Sequence, residues 1–267
     1  MIYEILTRVR QQKPLVHHIT NWVTIYDCAN ITRMVGALPV MAHAKEESPD
    51  MAAIASSLVL NIGTLTPELV ASMILAGKSA NSRNIPVVLD AVGVGATRLR
   101  DEKAREILDV VRVSVIKGNS SEIARLAGEN VATRGVESTE IGVDRVNICI
   151  RLAKSRSATV VMTGEQDIVT DGAMVYIIRN GHPLMGKIVG TGCMAASVIG
   201  SFAGVESDYA RAATAGLVCF EIAAELAAFD ASGPGTFKTK LFDEVFNLDR
   251  IKVTRMAKYD ERKAEDY

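Results

Sequence analysis

The sequence has 267 residues, 48% of them hydrophobic, which is enough apolar material for a sizeable buried core. Its 30 Lys and Arg nearly balance 31 Asp and Glu, a formal charge of −1, so nothing electrostatic points to nucleic acid or to an anionic membrane surface. The four cysteines (Cys28, Cys149, Cys193 and Cys219) form no C-x-x-C pair, so neither a metal cluster nor a disulfide framework is expected and a cytoplasmic setting fits best.

The chain opens on "MIYEILTRVRQQKP", an amphipathic segment without the apolar centre of a signal peptide. "HHITNWVT" (17–24) follows, a polar stretch ahead of a helix. Adjacent histidines on an extended segment point opposite ways, which argues against a shared metal. Asn21 is a neutral group able to hold a small heterocycle or a hydroxyl. Five short runs then end in Asp, Asn or Gly or just before them: "LPVMA" (38–42), "SLVLNIG" (57–63), "IPVVLDAVG" (85–93), "VSVIKGN" (113–119) and "ATVVMTGEQD" (158–167). Their Val, Ile and Leu content suits strands buried on both faces. Helix-length segments separate them. "TPELVASMILAGKSANSRN" begins with Thr66 as N-cap and Pro67 in the first turn, and "SSEIARLAG" and "VDRVNICIRLAKSRS" have helical spacing. Alternating strand and helix predicts an α/β fold with a mostly parallel sheet.

"DIVTDGAMVYIIRNG" carries Asp171-Gly172 between two alternating runs and predicts an antiparallel hairpin at one edge of the sheet. Two long apolar helices come next. The second, near residue 220, contains Glu221 and Glu225 and reads as a buried helix of a soluble protein rather than a membrane span. "SGPGTFKT" (232–239) reads as a turn leading to a last helix, and "KYDERKAEDY" as a solvated or frayed end. With no repeat and no linker, residues 1–267 read as one domain.

Ligands gather at the carboxyl ends of parallel strands. Here those ends carry Met41, Asn61-Ile62-Gly63, Asp90, Lys117-Gly118-Asn119 and Thr163-Gly164-Glu165, a polar, glycine-rich rim on an apolar body. Beyond it lies "KIVGTGCMAASVIGSFAGV" (187–205). Gly190, Thr191 and Gly192 open a helix, where free N–H groups and the helix dipole suit an anion. A tight packing turn would use the same glycines. Cys193 falls on the first turn, where a thiol is readily activated and could take a proton from a substrate hydroxyl. It could equally be a small buried hydrophobe. In "KGNSSEI", Glu122 reads either as the first-turn acid of a capping box with Ser120 or Ser121 near the cap, or as a group helping to hold Mg²⁺ directly or through water, with Asp90 as a second carboxylate.

Taken in order, "PLVHHITN", "GALPVMAHAKEE", "LVLNIGTLT", "PVVLDAVGVGAT", "IKGNSSEI", "VVMTGEQDIVTDG" and "VGTGCMAASVIGSF" resemble the hydroxyethylthiazole kinase family over nearly the whole chain. The resemblance implies a ribokinase-like three-layer sandwich, with a mostly parallel central sheet and helices on both faces. It implies ATP-dependent phosphorylation of 4-methyl-5-(2-hydroxyethyl)thiazole at its primary alcohol, with Mg²⁺, in thiamine salvage. Met41 and Gly190 match thiazole-binding positions, and Asn21, Gly63 and Thr64 line the same pocket. Lys117 and Thr163 match ATP-binding positions, and Asp90 and Glu122 the acidic groups near Mg²⁺ and phosphate. Gly190, Thr191 and Gly192 match the anion hole, and Cys193 the position facing the substrate hydroxyl, where related sugar kinases carry aspartate. Lys117 stands where the family commonly has arginine, keeping the charge without the bidentate fork. The family is typically a homotrimer with its sites between subunits. Two other functions share such a fold. One is a nucleotide-dependent dehydratase of hydrated nicotinamide cofactors, against which Cys193 argues. The other is a non-catalytic thiazole or thiamine binder, against which the retained acidic groups and glycine loop argue.

Overall fold

Among the described residues there are nine strands, most of them from the Val-, Ile- and Leu-rich runs: β1 (Leu15–Ile19), β2 (Leu38–Val40), β3 (Ser57–Asn61), β4 (Val87–Asp90), β5 (Val115–Asn119), β6 (Thr159–Thr163), β7 (Asp167–Thr170), β8 (Met174–Ile178) and β9 (Tyr259–Lys263). In the computed structural model the residues described are 1–129 and 142–267, with side chains from residue 145 in the second stretch. The strands form one sheet in the order β2-β1-β3-β4-β5-β6-β7-β8-β9. Pairing is parallel from β2 through β6 and antiparallel from β6 through β9. The fold class is α/β as expected, and β7 and β8 form the hairpin signalled by Asp171-Gly172.

Side chains alternate across a strand, so a sheet covered on both faces needs apolar residues at nearly every position. Val59, Val88, Val115 and Val161 point to one core, while Leu58, Leu60, Leu89, Ile116 and Val160 point to the other. Over the second face lie α3 (Ser48–Ile54), α4 (Pro67–Ser82), α5 (Arg98–Val110), α6 (Ser120–Leu126) and α7 (Gly142–Arg156). The first face is covered by α1 (Ile2–Gln12), α2 (Ile25–Val35), α8 (Thr191–Ala203), α9 (Tyr209–Phe229), α10 (Pro234–Phe246) and α11 (Arg250–Met256). The result is the three-layer arrangement. In α4, Thr66 caps as its sequence predicts, Oγ1 accepting from Leu69 N at 3.1 Å. Helix α9 is long and apolar enough to cross a membrane, but most of it is buried inside this fold.

Two boundary expectations fail. The C-terminal "KYDERKAEDY" is not a frayed end: Tyr259–Lys263 is β9, pairing along the whole of β8. Its charged residues carry no apolar alternation because it is an edge strand, held by main-chain bonds that side-chain pattern does not reveal. Residues 234–239 of "SGPGTFKT" are already helical, with Pro234 opening α10, and α11 follows that helix.

Candidate active site

Because β3, β4 and β5 run parallel and in register, Asn61 lies beside Asp90 and Asp90 beside Lys117. Each stands two residues beyond a core valine, Val59, Val88 or Val115, so all three project to the face that α8 covers. One row of strand ends thus places an amide, a carboxylate and an ammonium beneath the N-terminus of one helix. Asp90 and Lys117 are buried and form an ion pair, Nζ to Oδ1 at 3.2 Å. The other Asp90 oxygen accepts from Asn61 Nδ2 at 2.6 Å. Burial pushes the Asp90 carboxyl above its ordinary range. Burial alone would lower Lys117, but the charges of Asp90 and Glu122 around it hold the ammonium above its usual value.

Helix α8 begins at Gly190, whose φ of +102° is the left-handed region open to glycine. A Cβ there would also sit 2.8 Å from Thr24 Cγ2. At Gly192 a Cβ would stand 3.1 Å from Lys117 Nζ, so a bare backbone lets the lysine approach the turn. The first N–H groups of the helix have no intrahelical acceptor. Thr191 ties the loop down, its hydroxyl donating to Met185 O at 3.0 Å.

Cys193 sits under that turn. Two side-chain amides donate to its sulfur, Asn21 Nδ2 and Asn61 Nδ2, each at 3.3 Å. The amides are locked by their own bonds. Asn21 Nδ2 also donates to Asn61 Oδ1 at 2.9 Å, and Asn21 Oδ1 accepts from the backbone of Val23 and Thr24. Asn61 Oδ1 accepts from Gly63 N at 2.9 Å, while Thr64 Oγ1 accepts from Trp22 N at 3.1 Å. Two N–H donors aimed at one sulfur complement negative charge on it.

Glu122 is the N3 residue of a full capping box. Asn119, rather than Ser120 or Ser121, is the cap. Asn119 Oδ1 accepts from Glu122 N at 3.0 Å and Glu122 Oε2 from Asn119 N at 2.7 Å, while Oε1 accepts from Gly93 N at 2.8 Å. Burial raises the Glu122 carboxyl, against the pull of these N–H donors. Among the described residues no three His, Cys, Asp or Glu side chains converge as a metal cage. Both oxygens of Asp90 and of Glu122 already accept a bond, so the pair fits a divalent cation held through water better than one gripped directly.

Two cavities meet at this point. The smaller, about 360 Å³, is lined by Asn21, Gly63, Thr64, Asp90, Lys117, Glu122, Gly190 and Cys193 among others. The larger, about 700 Å³, runs beneath the 3₁₀ turn Pro183–Lys187 to α9 and has Pro183, Met185, Ala195, Leu217 and Phe220 in its walls. Asn119, Thr163 and Gly192 line both. Thr163 falls beside Asn119 in the β5–β6 register, with Oγ1 donating to Gly118 O at 3.3 Å. Of the residues matched to the family's catalytic and binding positions, Met41 alone is not brought to either cavity; it follows the edge strand β2 and is half-buried. His17 and His18 are buried in β1 and bonded to Ala42 O and Val16 O, not to each other. Sequence reading missed Asn61 as a bridge between Asp90 and Cys193, because its role depends on strand register. It also missed the walls of the larger cavity, drawn from segments up to about a hundred residues apart that share no local motif.

Comparison with known proteins decides the family. The model of the hydroxyethylthiazole kinase family matches residues 6–250. The chain belongs to the hydroxyethylthiazole kinase family. It is 62% identical over 256 residues to the hydroxyethylthiazole kinase of Methanosarcina mazei, covering 96% of this chain and 98% of that one. Its fold superposes on the hydroxyethylthiazole kinase protein from Pyrococcus horikoshii OT3 with a TM-score of 0.90 and 40% identity, over 98% of both chains. The pyridoxal kinase of Staphylococcus aureus in complex with AMP-PCP and pyridoxal shares the fold at a TM-score of 0.63 and 12% identity, over 94% of this chain and 99% of that one. Family membership and the ribokinase-like fold thus agree with the motif order in the sequence.

Proposed function

We propose that the chain transfers the γ-phosphoryl group of ATP to the primary hydroxyl of 4-methyl-5-(2-hydroxyethyl)thiazole, releasing ADP and the thiazole phosphate monoester for thiamine salvage. The observation that carries this is the junction of the two cavities under the α8 N-terminus, with Cys193 on the side of the smaller. The thiazole occupies the smaller cavity, against Asn21, Gly63, Thr64 and Gly190. The nucleotide lies in the larger, with its terminal phosphate at the shared rim near Thr163 and Gly192. Lys117, on the floor of the smaller cavity, reaches the transferring phosphate.

The hydroxyl oxygen attacks phosphorus, its P–O bond forming as the bond to ADP breaks. The hydroxyl proton passes to the Cys193 sulfur, which must be a thiolate to accept it. The N–H groups after Gly190 and the Lys117 ammonium face the charge spread over the phosphoryl oxygens. A thiol is less costly to bury beside an apolar heterocycle than a carboxylate, so positioning carries much of the acceleration. Asp90 and Glu122 would hold Mg²⁺ through its water shell, and the ion supplies charge neutralisation between the phosphates when bound.

The same proposal includes one catalytic domain acting in the cytoplasm, consistent with a single nine-stranded sheet and four free cysteines. It also includes a homotrimer with sites between subunits. Val23 and Val189, at 67% and 71% exposure, line the smaller cavity, and the exposed Trp22 and Tyr26 stand next to Val23 in the chain. A neighbouring subunit covering them would close the pocket and bring Met41 or its symmetry mate to the thiazole. The test is ADP release with Mg-ATP and the thiazole alcohol, with the product identified by mass. A phosphorylated thiazole that disappears on chelation of Mg²⁺ is expected. Thiazole binding by calorimetry without any ADP would instead identify a binder, and turnover of a hydrated nicotinamide cofactor would identify a dehydratase.

A further inference from the structure

Behind the smaller cavity, one arginine braces two of the loops that form its wall. The main-chain bond that ends the β3–β4 pairing, Ile62 N to Asp90 O, is 3.4 Å long. Beyond it the two chains part, toward Gly63 and Thr64 on one side and Val92 and Gly93 on the other. Arg100, in the first turn of α5, spans the gap. Its Nη1 donates to Ile62 O at 2.9 Å and to Val92 O at 3.2 Å, and its Nη2 to Gly63 O at 2.7 Å. The start of α5 is itself pinned. Thr97 Oγ1 caps it, accepting from Arg100 N at 3.4 Å, and Asp101 accepts from Gly95 N at 2.7 Å while pairing with Arg125 at 2.7 Å. Gly93 makes room for the guanidinium: a Cβ there would lie 2.7 Å from Arg100 Nη1, and its φ of +84° disfavours any other residue.

Gly63 and Val92 line the smaller cavity, whereas Arg100 lines neither cavity. Its fork draws three carbonyl oxygens, the negative ends of peptide dipoles, onto a cation behind the wall and not toward a phosphoryl group. The brace continues to the reacting group. Gly63 N donates to Asn61 Oδ1 at 2.9 Å, and Asn61 Nδ2 donates to Asp90 at 2.6 Å and to Cys193 at 3.3 Å. Asn61 Oδ1 also accepts from Asn21 Nδ2 at 2.9 Å. The Asn61 amide therefore has both N–H groups and both lone pairs engaged, and has no spare bond with which to adapt if Gly63 moves. Glu122 holds the other loop through Gly93 N at 2.8 Å. We propose that Arg100 is a positioning residue for phosphoryl transfer: it fixes the Ile62–Gly63 and Val92–Gly93 loops to each other and so keeps the Asn61 amide between Asp90 and Cys193. This role rests on the thiazole alcohol occupying the smaller cavity with Cys193 beside its hydroxyl. Lysine is not equivalent here, because a single ammonium on a flexible stem lacks the planar fork that reaches carbonyls of both loops at once.

Arg100→Met keeps the aliphatic stem and removes the donors. It should lower kcat by about ten- to a hundredfold, the cost of a small misplacement near the reacting atoms. KM for ATP should stay near the wild-type value, because neither braced loop lines the larger cavity. Arg100→Lys, which keeps the charge without the fork, should fall close to Arg100→Met. A second readout needs no turnover. Cys28, Cys149 and Cys219 are buried and Cys193 is only half-buried, so alkylation by iodoacetamide in the absence of substrate reports on Cys193. Thiolate is the reacting form and N–H donors stabilise it. Displacing the Asn61 donor in Arg100→Met should therefore slow alkylation at fixed pH by about three- to tenfold, the equivalent of one hydrogen bond. Wild-type kcat and alkylation rate in Arg100→Met, or in Arg100→Lys if the first variant does not fold, would overturn the role. A lowered Tm with both rates unchanged per folded molecule would overturn it too, leaving Arg100 a stabilising contact alone. A wild-type enzyme that forms no thiazole phosphate would remove the kinase reading and this role with it, whereas normal wild-type turnover beside unaffected variants would remove this role alone.

Discussion

Cys193 has more built around it than a packing residue needs. Asn21 and Asn61 aim their N–H groups at the sulfur, and Asn61 is itself tied to Asp90, so the thiol and the buried carboxylate share one rigid partner. If Cys193 takes the hydroxyl proton while positioning dominates, Cys193→Ser should lower kcat by less than about a hundredfold, below the usual reach of a general base. Cys193→Asp, which places a carboxylate ionised at neutral pH at the same site, should retain or raise kcat. Inactivity of both variants in the coupled ADP assay, with normal folding, would count against this role. Glu122 holds two backbone N–H groups as the third residue of a capping box. Glu122→Gln should raise the Mg²⁺ concentration needed for half-maximal activity, since it lowers the negative charge near the phosphates. An unchanged Mg²⁺ titration would leave Glu122 as a cap alone.

Among the elements, α8 and β9 show opposite relations between local sequence and position. The first turn of α8 is legible: Gly190 and Gly192 mark a helix start that must be approached closely, and both glycines do face a neighbouring side chain. Strand β9 is not legible. Its residues "YDERK" are those of a solvated tail, yet they close the antiparallel edge by pairing with β8. Tyr176 and Arg179 reach across to Glu261 and Asp260. Removing residues after Lys258 should therefore do more than trim a tail. It should lower Tm by ~5 °C or more, on a scale of about 2–4 °C per kcal/mol for a chain of this size. It should also expose β8 as an unprotected edge prone to association. Calorimetry and light scattering on the truncated chain would check both, and an unchanged Tm would return the segment to a passive end.

For the whole molecule, pH and assembly are the accessible tests. Burial holds His18 at about 3 against an ordinary 6.5, and His17 and His43 are lowered for the same reason. The unfolded chain takes up the His18 proton near pH 6.5, while the folded chain excludes it until about 3. Stability is therefore full above the unfolded value and drains as pH falls through that window. At pH 5 the loss from His18 is roughly 2 kcal/mol. Urea midpoints at pH 7.5 and 5.0 should show this loss, and His18→Gln should flatten the slope between them. The same slope in the variant would assign the loss to other groups. For assembly, Val23→Glu with Tyr26→Glu should convert a three-chain particle in sedimentation into monomers and raise KM for the thiazole. A wild-type monomer with full activity would end the trimer proposal.

Much of this protein was determined by sequence alone. Continuous apolar runs ending in Asp, Asn or Gly specify a parallel sheet buried on both faces, because only such strands need valine, leucine and isoleucine at successive positions. Their polar ends then mark the ligand rim, since all parallel strands finish on one side. The order of the motifs identified the family that the comparisons support. What tertiary structure alone decided are relations between residues far apart in the chain. Register put Asn61, Asp90 and Lys117 in one row. Main-chain pairing captured a polar strand that no side-chain pattern announces. The meeting of β7 with α9 put Asp167 and Glu221 in the wall of one cavity. Each depends on through-space distance between strand ends and helix walls, which neither period nor composition encodes.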